Sequence, residues 1–253
     1  ALRFWWRALN WGRFRGIPGA DDNSALRALH AREAQLFGLA ADGKGGSGQG
    51  VFLLTVQSAN PNCMNKGQVH ANFAAHDAAR YLGYGLMVPF RATDRTTGAV
   101  KHAGQLLRGC VNEGQLFTAK LLFRGGVDAS IREALIALGL LGGLGSRSRH
   151  GMGSIALVSL KEDGTEAKGW AVPTEENNYD DKIKALFSSS TPPSTEPPFS
   201  AFWQDSRIDR LLSGTDCYKV LNDFGKAMLM YRSWGRSNPG GGSTVLGVPS
   251  EQR

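Results

Sequence analysis

Arg3 and Arg7 stand four residues apart in the segment Leu2-Arg3-Phe4-Trp5-Trp6-Arg7-Ala8-Leu9. On a helix they share one face, while Trp5 and Trp6 lie away from it. Arg13 and Arg15 follow, and no acidic residue comes before Asp21. The planar arginine fork suits bidentate contacts to phosphate oxygens. Interleaved Phe4, Trp5, Trp6, Trp11 and Phe14 suit aromatic packing or base stacking. The competing reading makes the tryptophans core and the arginines a solvated face. The residue types favour core for the tryptophans and phosphate contact for Arg3, Arg7, Arg13 and Arg15.

A second segment, Gly142 to Ser154, reads Gly-Gly-Leu-Gly-Ser-Arg-Ser-Arg-His-Gly-Met-Gly-Ser. Glycines let successive backbone N–H groups point into one concavity, which suits an anion. Gly143, Gly145 and Gly151 would shape it, Ser146 and Ser148 add hydroxyl donors, and Arg147 and Arg149 add charge. No Gly-Lys-Ser/Thr follows at P-loop spacing, and neither a P-loop nor a dinucleotide fingerprint joins a helix to a strand in this order. A tight glycine connection is the plainer alternative; the alternation of basic residues with glycine argues against it.

His150, within that loop, has the chemistry of a general base near neutral pH, but no second catalytic partner stands at a diagnostic position. Cys63, His70 and His76 form a C-x6-H-x5-H array, with Cys110 or His102 as further possible ligands. Zinc sites use tighter pairs, so packing or surface roles are favoured and no metal or cofactor is expected. The pair Asp180-Asp181 reads as solvated.

The elements that must position these residues follow from pattern. Leu2–Leu9 reads as helix, followed by a Gly/Arg-rich connection through Trp11, Arg13, Arg15, Pro18 and Gly19. Ser24 is the expected N-cap of a second helix running to Gly38. Val51–Gln57 reads as a strand and Gln68–Leu82 as a helix. Arg91, Arg95, Lys101, His102 and Arg108 fall in turn-rich sequence. Leu116–Phe123 reads as a strand with Phe117, Ala119, Leu121 and Phe123 on one face. A helix starting at Asp128 or Ser130 and a strand at Ser154–Leu160 come next. The order is helix, strand, long insertion, strand, helix, strand. A ferredoxin-like β-α-β-β-α-β unit has this order once a first strand is added. The expected class is therefore α+β, ferredoxin-like (RRM-like), with that first strand missing. The expected division is a domain over 1–160 carrying an insertion at 58–114, then a C-terminal region over 161–253. The latter holds a Ser/Pro-rich loop at 188–198 and a helix at 216–234 with Val220, Leu221, Phe224, Met228 and Tyr231 on its apolar face.

Composition bounds the function. The 253 residues are 42% hydrophobic, enough for one large core or two small ones. No apolar run approaches the ~20 residues of a membrane span, and no signal peptide is read at the start. Three cysteines without a C-x-x-C pair favour a reducing, cytoplasmic setting over a disulfide scaffold. Glycine is abundant, with 33 residues, against an average of ~7%. The net charge is +7. It is concentrated early: residues 1–160 hold 18 Lys/Arg and 9 Asp/Glu, residues 161–253 hold 11 and 13. A basic, arginine-rich half suits a polyanionic partner.

The residues Leu2–Leu9, then Glu33-Ala34-Gln35-Leu36-Phe37-Gly38, then Tyr81-Leu82-Gly83-Tyr84-Gly85, then Gly142–Ser154 together resemble the RAMP superfamily of CRISPR proteins. Within it the likeness is greatest to the first Cmr-series subunits of type III-B effector complexes. The motifs run in the same order over residues 2–154. The resemblance implies a ferredoxin-like, non-catalytic RNA-binding subunit among other RAMP subunits, in antiviral defence. It would lie near the 3′ end of a guide RNA and assist capture of target RNA. The family's basic helix positions fall on Arg3 and Arg7 and its glycine-rich loop on Gly142–Ser154. Its thumb-like element falls on the insertion, which makes Arg91, Arg95 and Lys101 secondary candidates. Two alternatives stay open: an endoribonuclease processing guide precursors, with His150 as base, and a protein–protein capping module that uses an exposed tryptophan surface.

Overall fold

The computed structural model describes residues 1–40, 48–94, 96–187, 199–203 and 205–237, with the helical backbone alone for 234–237. Helices α1 (Leu2–Arg15) and α2 (Asp22–Phe37) precede strands β1 (Phe52–Gln57) and β2 (Cys63–Met64). Short helices α3 (Ala71–Ala74) and α4 (Asp77–Leu82) follow, with strands β3 (Ala92–Thr93), β4 (Val100–Lys101), β5 (Cys110–Val111) and β6 (Thr118–Phe123). The chain then forms α5 (Ala129–Leu141), β7 (Lys161–Glu162), β8 (Thr165–Glu166), α6 (Glu176–Phe187) and α7 (Cys217–Ser237). This is an α+β fold whose described strands pair only two by two, all antiparallel.

The chain divides into two compact units. The first comprises residues 1–59, 117–149 and 153–208; the second comprises 60–116, 150–152 and 209–253.

In the first unit, α1 packs against α2 and α5. Its tryptophans form the centre: Trp6 and Trp11 are 1% and 0% exposed, beside Leu29, Leu36 and Ile131. Each such side chain contributes about 1.5–3 kcal/mol by leaving water. The Trp6 indole also donates to Ser130 Oγ at 2.6 Å, which ties α1 to the start of α5. Strands β1 and β6 pair with Phe52 opposite Phe123 and Leu54 opposite Leu121. Phe52, Leu121 and Phe123 join the core, whereas Leu54 and Val56, farther along the same face, are exposed.

In the second unit, α4 crosses α7 so closely that a Cβ at Gly225 would lie 2.3 Å from the Ala78 carbonyl oxygen. Leu221, Phe224 and Met228 of α7 pack on Phe73, Ala79, Leu82, Met87 and Leu106. Asp216 accepts from the N–H groups of Tyr218 and Lys219 and so starts α7.

Four sequence expectations are corrected. Helix α1 continues through the Gly/Arg-rich stretch to Arg15, because Trp11 belongs to the core and Gly12 sits on a buried face. Asp21, not Ser24, caps α2; Ser24 is at the third helical position and closes the reciprocal capping box. Residues 67–70 bond to 104–106 rather than to one another, so the expected single helix over 68–82 becomes two short ones. Residues 155–160 form no strand; only Ser154 bridges, to Gly143. Their ends bond outside any ladder, the Ile155 N–H to Gly142 O and Leu160 O to the Ala167 N–H, and Leu157 rests on α5 at Gly139, where there is no Cβ to obstruct it. The Ser/Pro-rich stretch 188–198 lies outside the described residues.

Candidate functional site

The glycine-rich segment after α5 is a lobe closed at its neck. Gly143 and Ser154 pair, and the Leu144 N–H donates to Gly153 O at 2.9 Å. Gly153 has φ +65°, and a Cβ there would lie 2.2 Å from the Leu144 carbonyl oxygen. Only glycine allows the two chains this approach. Gly142, on the α5 side, lies so near Trp5 that an added Cβ would come 2.8 Å from the indole nitrogen. Beyond the neck, Gly145 and Gly151 have φ +86° and +82°, and Ser148–His150 form one 3₁₀ turn. Arg147 is the unusual member. It is a non-glycine residue at φ +62°, a conformation that costs energy and often accompanies a functional loop.

The lobe meets the start of α1. The Arg149 guanidinium lies over the Phe4 ring, 5.9 Å from its centroid. Gly145, Ser146, Arg147, Arg149 and Gly151 are exposed, while Ser148 and His150 are half-buried. The Arg149–Phe4 contact thus places the segment Gly145–Arg149 beside the start of α1 within the first unit.

The arginines of α1 are already engaged. Arg7 makes a bidentate pair with Glu33, Nε to Oε2 at 2.8 Å and Nη2 to Oε1 at 2.6 Å. The hydrogen bond to Glu33 lifts the Arg7 guanidinium above its ordinary range, against the opposing effect of burial. Arg3 donates to the carbonyls of Phe37 and Gly38 at 3.1 Å each, and its Nε lies 3.5 Å from Glu33. Arg13 pairs with Glu133 at 2.7 Å, and Arg15 with Asp22 at 2.6 Å. These contacts hold α1 to α2, to α5 and to the intervening turn. Arg3 and Arg7 keep 48% and 40% of their side-chain surface in water, so both remain within reach of a ligand.

Glu33 is the residue that sequence reasoning missed. Leu29, Glu33 and Leu36 lie on one buried face of α2, and a carboxylate in that position requires a cationic partner. The signal was present in the spacing.

The other candidates lie elsewhere. Arg91 is exposed in the second unit. Lys101 pairs with Asp94 at 2.7 Å. That bond, with the N–H groups of Thr97 and Thr96, holds the Asp94 carboxyl far below its ordinary range. Arg95 lies outside the described residues. Cys63 is in β2, His70 precedes α3 and His76 precedes α4. Among the described residues no three His, Cys, Asp or Glu side chains are grouped to hold a metal ion. No helix among them is long and apolar enough to cross a membrane. No tryptophan whose side chain is described is exposed: Trp5, Trp6 and Trp11 are buried, Trp170 and Trp203 half-buried. The exposed tryptophan surface that a capping module would use is therefore absent among the described residues.

Among curated proteins and solved structures nothing matches the chain. A protein-family model does match it, over residues 1–156, and that family is the RAMP superfamily.

Proposed function

From the premise that the chain belongs to the RAMP superfamily, with its CRISPR-associated RNA-binding role, we propose that it is a non-catalytic RNA-binding subunit of a type III-B effector complex. It works in the cytoplasm beside other RAMP subunits, holds guide and target RNA near the guide's 3′ end, and serves antiviral defence. The observation that carries this reading is the exposed lobe Gly145–Arg149 set against the first turn of α1. Arg147 and Arg149 contact phosphates, and glycine-loop amides add donors. Arg3 and Arg7 assist from α1 while anchoring it. Base pairing between guide and target reads sequence. A ferredoxin-like core fits the order α1–β1–β6–α5, with β1 and β6 antiparallel and the insertion between them.

The test is equilibrium binding of labelled single-stranded RNA between roughly 50 and 200 mM salt. Tight binding that falls steeply with salt, with intact RNA, is the expected result. Reversing the charge of both Arg147 and Arg149 should weaken binding and flatten the salt slope by about two phosphate contacts. Unchanged affinity in a folded double variant refutes the lobe's role. RNA shortened without metal refutes the non-catalytic reading in favour of a nuclease.

A further inference from the structure

Among the described residues of α1, Phe4 is the aromatic side chain that lies outside the core. The others are taken up by rings from elsewhere in the first unit. Trp5 stacks on Phe202 with centroids 5.7 Å apart, Trp6 meets Phe14 and Phe37, and Trp11 meets Phe199. Phe4 is 38% exposed. The contacts described for its ring are a T-shaped one with Trp5, at 5.5 Å, and the Arg149 guanidinium. That guanidinium is 5.9 Å from the ring centroid, close to the ~6 Å limit of cation–π attraction, so it covers the ring loosely. Apolar surface left in water adds nothing to folding, and the exposed part of Phe4 has no role in holding α1.

Arg149 stands apart from the arginines of α1 in a similar way. Arg3 donates to carbonyls, Arg7 and Arg13 pair with glutamates, and Arg15 pairs with Asp22. Arg149 is exposed, and among the described residues it has no hydrogen bond or ion pair; its described contact is the Phe4 ring. A guanidinium carries five N–H donors in its plane. An aromatic face and a set of N–H donors thus lie side by side, both within reach of solvent. A nucleotide matches that combination, because it joins a flat π-face to an anionic phosphate. An inorganic anion would meet the donors and leave the ring bare. One exposed cation–π contact is weaker than a base–aromatic stack and a charge-assisted phosphate bond together, so the exchange of one for the other is favourable.

We infer that one unstacked base of the bound RNA lies on the Phe4 ring, in the place Arg149 holds in the free chain, and that Arg149 turns its donors to a phosphate of the same strand. The inference rests on the RNA-binding reading above and adds a base subsite to its phosphate contacts. The ring is backed for this role. Trp5, edge-on to Phe4, is 8% exposed and fixed by its own stack on Phe202. Stacking reads no hydrogen-bonding edge, so the subsite accepts any base. A base inside a duplex already has neighbours on both faces, so the subsite takes single-stranded RNA. Splayed bases on aromatic side chains are a usual mode of single-stranded RNA recognition.

The experiment uses the full chain and two labelled twelve-unit probes, an oligouridylate and a ribose–phosphate chain of the same length without bases. The oligouridylate should bind about fivefold tighter or more, the span of one base–aromatic stack. Phe4→Ala and Phe4→Leu should each lose that preference and leave the baseless chain bound as before. Their salt slopes should not change, because no phosphate contact is removed. Phe4→Trp should keep the preference. Arg149→Gln should weaken both probes and flatten the slope by about one contact. Because Phe4 lies outside the core, its variants should unfold at the wild-type urea midpoint. Equal loss on both probes in Phe4→Ala overturns the base subsite and reduces Phe4 to a support for Arg149, with the RNA-binding reading intact. Wild-type protein that binds both probes alike, with steep salt dependence, overturns the subsite as well. No binding of either probe overturns both.

Discussion

Removing the Arg7–Glu33 pair from one side or the other should have unequal consequences, because the partners differ in burial. The Glu33 side chain is 5% exposed and that of Arg7 is 40% exposed. Arg7→Met leaves the carboxylate inside the α1–α2 contact with only Arg3, 3.5 Å away, to balance it. Breaking a fully buried pair in this way costs about 3–5 kcal/mol. The remaining Arg3 reduces that to about 2–3 kcal/mol. Glu33→Gln releases a guanidinium that can turn to water, so its cost is nearer that of an exposed pair, about 1 kcal/mol. The double variant should lose less than the sum, with a coupling of about 1–2 kcal/mol. Urea unfolding followed by tryptophan fluorescence is the assay, because five of the six tryptophans are in the first unit. The slope against urea should be unchanged. Equal costs for the two single variants, or additivity within about 0.5 kcal/mol, would refute the claim that Glu33 is the buried anchor of α1. The same proteins separate anchoring from RNA contact: if Arg7 also touches phosphate, Arg7→Met lowers RNA affinity, whereas Glu33→Gln does not.

Two further outcomes follow from groups outside that pair. Arg80 is 6% exposed and donates to the carbonyls of Pro89, Phe73 and Ala74 at 2.6, 2.8 and 2.6 Å. Arg80→Met removes the donor from the Pro89 and Ala74 carbonyls, while Phe73 keeps the His76 N–H, at about 1–3 kcal/mol for each acceptor left buried and unpaired. It should abolish hydrogen-exchange protection across residues 71–90, and protection retained at the wild-type level would contradict it. Burial alone would raise the Asp128 carboxyl, but the Ser130 hydroxyl and N–H, with Arg32, outweigh it and bring the carboxyl below its ordinary value. A carboxyl depressed by folding stabilises fully above its unfolded value of about 3.9 and loses that contribution as pH falls through the lower folded value. Unit 1 should therefore weaken below about pH 4, and Asp128→Asn should be less stable at pH 7 with a shallower acid limb. An unchanged acid limb in a denaturation series from pH 2 to 7 would count against this.

Much of the local structure was legible because it depends on short stretches of chain. The apolar spacing of Leu221, Phe224 and Met228 marks the buried face of α7, and Asp128 and Ser130 mark the start of α5. The alternation at the end of β6 puts Leu121 and Phe123 on the side that meets the core. The tryptophans of Leu2–Leu9 announce a buried helix face, and the alternation of glycine with basic residues marks Gly142–Ser154 as a segment built to present charge. Glu33, on the apolar face of α2, carried a signal that sequence reasoning passed over, and spacing alone could not have named its partner.

What the tertiary structure decided is who meets whom. The end of α1 stays helical because Trp11 enters a core built from three other helices. Residues 67–70 leave the helix their composition favours because 104–106 offer backbone partners. Residues 155–160 have the residues of a strand, but their end groups bond to Gly142 and Ala167 outside any ladder. The Arg149 guanidinium comes to rest on the Phe4 ring of α1, and no spacing links the two. Propensity and periodicity act over a few residues, and they set helix faces and turns. Ion pairs, ladders and clefts depend on the distance between groups remote in sequence, which only the folded chain determines.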